Sequence, residues 1–157
     1  MIRLSDYLSP ERVRVALSAG SKRDVVAELV AALAEVGDVT DADGVLRSVM
    51  EREATRSTGI GNAVAIPHAK TSCVDGLKVA VGLHRDGVDF HSVDRRPVHL
   101  LVLLLSPIDQ TGLHIQALTR VSRLLSSEAV RRRLQQAESS EQVCERIADR
   151  EADFTSS

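Results

Sequence analysis

The segment Val98-His99-Leu100-Leu101-Val102-Leu103-Leu104-Leu105 constrains this chain more than any other. It is apolar at every position but one and is stopped by Pro107. It falls far short of the roughly 20 apolar residues that a membrane helix needs. It also lacks the polar–apolar alternation of a strand with one wet face. A short, branched, unalternating run of this kind predicts a strand covered on both faces. Such a strand needs two layers of partners, and the rest of the chain supplies helices on either side of it in sequence. Ser21 with Asp24 three residues on predicts a helix cap. Val25, Leu29, Ala32 and Leu33 follow at helical spacing, and Gly37 ends the pattern. A second helix is predicted from near Thr40 or Asp41 through Val45, Leu46, Val49 and Met50 to Arg52. Three more are predicted over about 113–125, 128–136 and 140–150, the last capped by Ser140 with Val143 and Ile147 buried. Shorter strands are predicted at 12–17, 63–66 and 77–84. The expected class is α/β, one layered domain with helices on both faces of the sheet. Its core is expected at about 2–150, with 151–157 a loose tail.

Composition narrows the functions. The net charge of −2 lacks the basic excess of a nucleic-acid binder. Arg131-Arg132-Arg133 lies in a helical pattern and is read as a solvated face. Tyr7, Phe90 and Phe154 are too few aromatics for base stacking or a sugar platform. The N-terminus carries neither a basic flank nor an apolar signal core, so the chain is read as cytoplasmic, with no membrane insertion. Cys73 and Cys144 form no CxxC and are read as free thiols. His68, His84, His91, His99 and His114 show no metal-ligand spacing, so neither a metal nor another cofactor is expected. His84, His91 and His99 are read as solvent-facing or edge residues.

His68 is distinguished by its surroundings. It follows a strand that Pro67 ends, a place where a side chain is held rigidly yet reaches solvent. Just upstream, Ser57-Thr58-Gly59-Ile60-Gly61-Asn62 is rich in small residues. Its amides could converge on an anion, or its glycines could serve a plain tight turn. No Gly-Lys-Ser/Thr follows, so it is no Walker A loop. An exposed imidazole beside an anion cradle suggests a phosphorylated histidine. Arg52 and Arg56 are candidates to hold the phosphoryl charge.

Arg52-Glu53, the string from Ser57 to Lys70 (STGIGNAVAIPHAK), Asp94-Arg95-Arg96-Pro97-Val98, Ser106-Pro107 and His114-Ile115-Gln116-Ala117-Leu118 together resemble the signature of the EIIA domains of the bacterial phosphotransferase system, in its fructose/mannitol and nitrogen-regulatory branch. The resemblance covers about residues 2–150. It implies a mixed sheet flanked by helices and a protein that carries a phosphoryl group. It implies His68 as acceptor through Nε2, His114 as the second active-site histidine beside it, and Arg52 as the active-site arginine. Ser57, Thr58, Gly59, Gly61 and Asn62 are implied as phosphate-binding residues. The implied partners are HPr or its nitrogen-branch counterpart NPr upstream, and an EIIB domain or regulatory proteins downstream; a homodimer is compatible with it. Both a nitrogen-type regulator and a sugar-uptake EIIA fit, as does an interaction module that has lost the chemistry. The sequence departs from the family's habit at Arg56, at Asn62-Ala63 where Asn-Gly is commoner, and at Arg95-Arg96 where Gly-Lys is commoner.

Overall fold

The computed structural model describes residues 2–155. Two short 3-10 turns, Leu4–Tyr7 and Pro10–Arg12, lead into β1 (Val13–Arg14). Then follow α1 (Lys22–Glu35), α2 (Ala42–Thr55), β2 (Gly59–Gly61), β3 (Val64–Ala65), β4 (His68–Lys70), β5 (Lys78–Val88), β6 (Val98–Ser106), α3 (Thr111–Leu125), α4 (Glu128–Gln135) and α5 (Ser140–Thr155). The six strands form one mixed sheet in the order β1-β5-β6-β3-β2, with β4 also paired to β6. β5 and β6 are antiparallel, whereas β3 and β4 run parallel to β6.

The run at 98–105 is the central strand, and its alternation builds two cores. Leu100, Val102 and Leu104 pack with Ala117 and Val121 of α3, Val130 and Leu134 of α4, and Val143 and Ile147 of α5. Leu101, Leu103 and Leu105 pack on the other face with Val25, Leu29 and Leu33 of α1 and Val45 and Val49 of α2. Each enclosed leucine contributes roughly 1.5–3 kcal/mol of hydrophobic stabilisation. Ser21 caps α1 as its spacing predicts, its Oγ accepting from the Asp24 amide at 3.2 Å. Asp41 caps α2 through the Gly44 amide at 3.0 Å.

Four expectations are corrected. The strand at 12–17 is cut to Val13–Arg14, because the 3-10 turn at Pro10–Arg12 takes its first residue and the chain bends at Val15. The cap of α5 is Ser139, whose Oγ accepts from the Gln142 amide; Ser140 is the first helical residue and donates to the Val13 carbonyl. His84 is buried, its Nε2 2.7 Å from the Ala19 carbonyl, and its own carbonyl accepts from His99 Nδ1. The stretch 151–155 is no loose tail. Helix α5 runs through it, and the fully enclosed Glu151 accepts from the amides of Leu4 at 2.7 Å and Ser5 at 2.9 Å and from Arg120 Nε at 3.0 Å. A carboxylate that satisfies the first turn of the chain holds the last helix in place. Residues 156 and 157 lie outside the described residues.

The candidate phosphoryl site

β3 and β4 lie end to end along one edge of β6. Val64 and Ala65 face Leu100 and Leu101, and His68 to Lys70 face Leu104 to Ser106. Pro67 sits between them, where it can have no ladder hydrogen bond to donate. Because side chains alternate along a strand, His68 and Lys70 project from the same face while Ala69 turns into the core. That face is also the one on which β6 presents Leu104 and Ser106, under α3. His114, in the first turn of α3, enters there. The rings of His68 and His114 lie 5.4 Å apart between centroids at an interplanar angle of 52°. Arg52 approaches from the last turn of α2, which packs on the other side of the sheet and reaches past the β4 edge.

These side chains surround one open depression of about 550 Å³, lined by Ser48, Glu51, Arg52, His68, Lys70, His114 and Leu118 among others. His68 Nδ1 lies 2.7 Å from the carbonyl oxygen of Ile66. A carbonyl can only accept, so in the neutral ring Nδ1 carries the proton and Nε2 keeps its lone pair. Burial, and to a lesser degree the Arg52 charge, lower the His68 pKa against the Ile66 hydrogen bond and the Glu53 charge. Both effects together favour the neutral ring, with the Nε2 lone pair free. His114 is more deeply set, 7% exposed. Burial first, then the charges of His68, Lys70 and Arg52, push its pKa down to about 4.

The structure thus brings His68, His114 and Arg52 together. It adds Lys70, which the residue pattern alone did not single out. The available signal was its spacing of two from His68 on a strand. Its ammonium donates to Thr111 Oγ1 at 3.2 Å and supplies a second cation beside Arg52. Arg56, the alternative to Arg52, does not line the depression; its carbonyl instead accepts from Arg52 Nη1 at 3.1 Å.

The loop residues are arranged otherwise than expected. The Thr58 hydroxyl donates to Glu53 at 2.5 Å, and the Ser57 hydroxyl donates to the Phe90 carbonyl at 2.5 Å. Each hydroxyl has one proton, so neither is left to donate to a phosphoryl oxygen. The Gly59 amide donates to Ser57 Oγ and the Asn62 amide to Asp94. None of residues 57–62 lines the depression. Gly59 and Gly61 belong to a β-hairpin instead, β2 pairing antiparallel with β3. A Cβ at Gly59 would lie 2.2 Å from Ser92 Oγ, and Gly61 has φ +92°. Asn62 at φ 57° and Ala63 at φ 65° form the turn, both left-handed as two-residue hairpin turns require. The loop's contribution to the site is indirect. Thr58 and Lys22, whose Nζ is 2.7 Å from Glu53, hold that buried carboxylate next in sequence to Arg52.

Comparison with known proteins identifies the family. The model of the family described as "Phosphoenolpyruvate-dependent sugar phosphotransferase system, EIIA 2" matches residues 6–150. The chain is 36% identical over 150 residues to a nitrogen regulatory protein of Pseudomonas aeruginosa, covering 95% of this chain and 97% of that one. It is 33% identical over 146 residues to the fructose-specific EIIABC component of Bacillus subtilis, covering 93% of this chain but only 23% of that much longer protein. Among solved structures, the nitrogen regulatory protein IIA-Ntr of Neisseria meningitidis superposes with a TM-score of 0.85 at 28% identity, covering 92% of this chain and 98% of that one. A match across nearly the whole chain, by sequence and by fold, places the chain in the EIIA type 2 family of the phosphotransferase system.

Proposed function

We propose that the chain is a phosphoryl carrier in which His68 Nε2 accepts a phosphoryl group from a phosphohistidine of a small phosphocarrier protein, HPr or NPr. The observation that carries this reading is the 2.7 Å approach of His68 Nδ1 to the Ile66 carbonyl oxygen, from which the tautomer follows. The Ile66 carbonyl holds the proton on Nδ1, and the lone pair on Nε2 is left beside a depression flanked by two cations. In the transfer, the Nε2 lone pair attacks phosphorus while the donor's P–N bond breaks and its electron pair returns to the donor imidazole. His68 keeps its Nδ1 proton and becomes an N-phosphorylated imidazolium, while the donor ring, protonated on its other nitrogen, leaves as a neutral imidazole, so no base is needed. Arg52 and Lys70 offset the charge on the phosphoryl oxygens.

The regulatory, nitrogen-type role is the favoured output, because the match to a nitrogen regulatory protein runs the length of both chains. Onward transfer to an EIIB cysteine is the second reading, supported by the similarity to a fructose-specific component. The test is incubation with phosphoenolpyruvate, Enzyme I and either HPr or NPr. An acid-labile phosphoryl group is expected on the wild type and not on His68→Asn. Failure of both carriers to label the wild type would refute the carrier function. Passage of the label to a fructose-type EIIB would favour the transport reading over the regulatory one.

A further inference from the structure

Ser106 ends the central strand, fully enclosed, with its Oγ 2.8 Å from His114 Nδ1. Two arrangements fit that distance: the ring donates to the hydroxyl, or the hydroxyl donates to the ring. The proton inventory separates them. Among the described residues the Ser106 side chain makes this one hydrogen bond. If the ring donated, the hydroxyl proton would be shut away from water with no acceptor, at a cost of about 1–3 kcal/mol. If the hydroxyl donates, both partners are satisfied. The proton of the neutral His114 ring then resides on Nε2, the nitrogen left over for the depression that His114 lines.

We propose that Ser106 is a positioning residue: it donates to His114 Nδ1, fixes the Nε2–H tautomer, and so makes His114 a neutral hydrogen-bond donor to the phosphoryl oxygens. This deepens the carrier reading and, for its phosphoryl partner, rests on it. The two histidines then hold opposite tautomers for a local reason. His68 Nδ1 meets a carbonyl, which only accepts, and its Nε2 becomes the nucleophile. His114 Nδ1 meets a hydroxyl with a proton to give, and its Nε2 becomes the donor. The alternative tautomer would turn a second lone pair toward the anion and repel it. Since His114 is held neutral near pH 7, it can donate from Nε2 only if something sets that tautomer.

Long-range proton–nitrogen NMR on the 15N-labelled full chain at neutral pH reads the tautomers with no phosphoryl donor present. A pyridine-like Nδ1 and pyrrole-like Nε2 are expected for His114, and the reverse for His68. A pyrrole-like Nδ1 in wild-type His114 overturns the proposal, whatever any variant does. In Ser106→Ala, His114 should shift to the Nδ1–H form or a mixture. The rate of phosphoryl transfer from the carrier should fall about tenfold, the equivalent of about 1.4 kcal/mol, with the KM for the carrier unchanged. Ser106→Thr, which keeps the hydroxyl, should restore both readouts. A folded Ser106→Ala whose His114 tautomer is unchanged overturns the proposal. If no carrier labels the wild type, the carrier reading fails while the NMR result still decides whether Ser106 sets the tautomer.

Discussion

Replacing His114 by glutamine should flatten the acid side of the stability profile. In the folded chain the His114 pKa is near 4, chiefly through burial, against an ordinary imidazole value near 6.5. The unfolded chain therefore binds more protons between those limits, and stability must rise with pH across that window. Above about pH 7 both states are neutral at this position and His114 contributes no pH dependence. On acidification to pH 5 the unfolded ring is almost fully protonated while the folded ring is mostly not. The linkage relation then gives a loss of about 2 kcal/mol relative to pH 7, approaching about 3 kcal/mol near pH 4. His68, also lowered by burial, adds a loss of the same sign that both proteins share. Glutamine does not titrate and can still meet Ser106. Urea unfolding of wild type and His114→Gln at pH 7 and pH 5 isolates the effect, because the other groups cancel in the double difference. The wild type should lose about 2 kcal/mol more than the variant between the two pH values. Equal losses would refute the desolvated, neutral His114 on which the site's chemistry is built.

Two further outcomes follow from the backbone and the termini. Ala63→Gly should stabilise the chain by about 0.5 kcal/mol, since relief of a left-handed alanine at φ 65° exceeds the added freedom of the unfolded glycine; a lowered urea midpoint would contradict the hairpin strain. Glu151→Leu should cost about 3 kcal/mol, because the buried Leu4 amide, the half-buried Ser5 amide and the Arg120 guanidinium lose a shared acceptor. Hydrogen exchange at Leu4 and Ser5 should quicken in step, and a loss under about 1 kcal/mol would show the clasp to be incidental.

Much of the site was legible in the sequence because its signals are local. Pro67 ends a strand and exposes the next residue, so His68 could be singled out. Arg52 falls in the last turn of a helix whose cap and stripe are both readable. The family's commoner glycines at 63 and 95 also acquire a reason, since Ala63 and Arg95 have φ of 65° and 62° here. The loop at 57–62 shows the limit. Glycines and hydroxyls serve a hairpin as well as an anion cradle, and only the positions of Glu53, Phe90 and Ser92 show which. His84 is likewise read as a solvent-facing or edge residue because a polar residue in a strand carries no mark of the carbonyl that receives it.

By itself, then, the amino-acid sequence determined the two-faced central strand, the helices that must cover it and the rigid exit at His68. Period and chain stiffness act over a few residues and can be read in order. The tertiary structure alone decided which donors and acceptors meet across long separations: Ser106 with His114, Lys70 with Thr111, Thr58 with Glu53, and Glu151 with the first turn of the chain. A hydrogen bond depends on angstrom placement of two groups, which no local pattern encodes. In this protein those placements set His68 Nδ1 against a carbonyl and His114 Nδ1 against a hydroxyl.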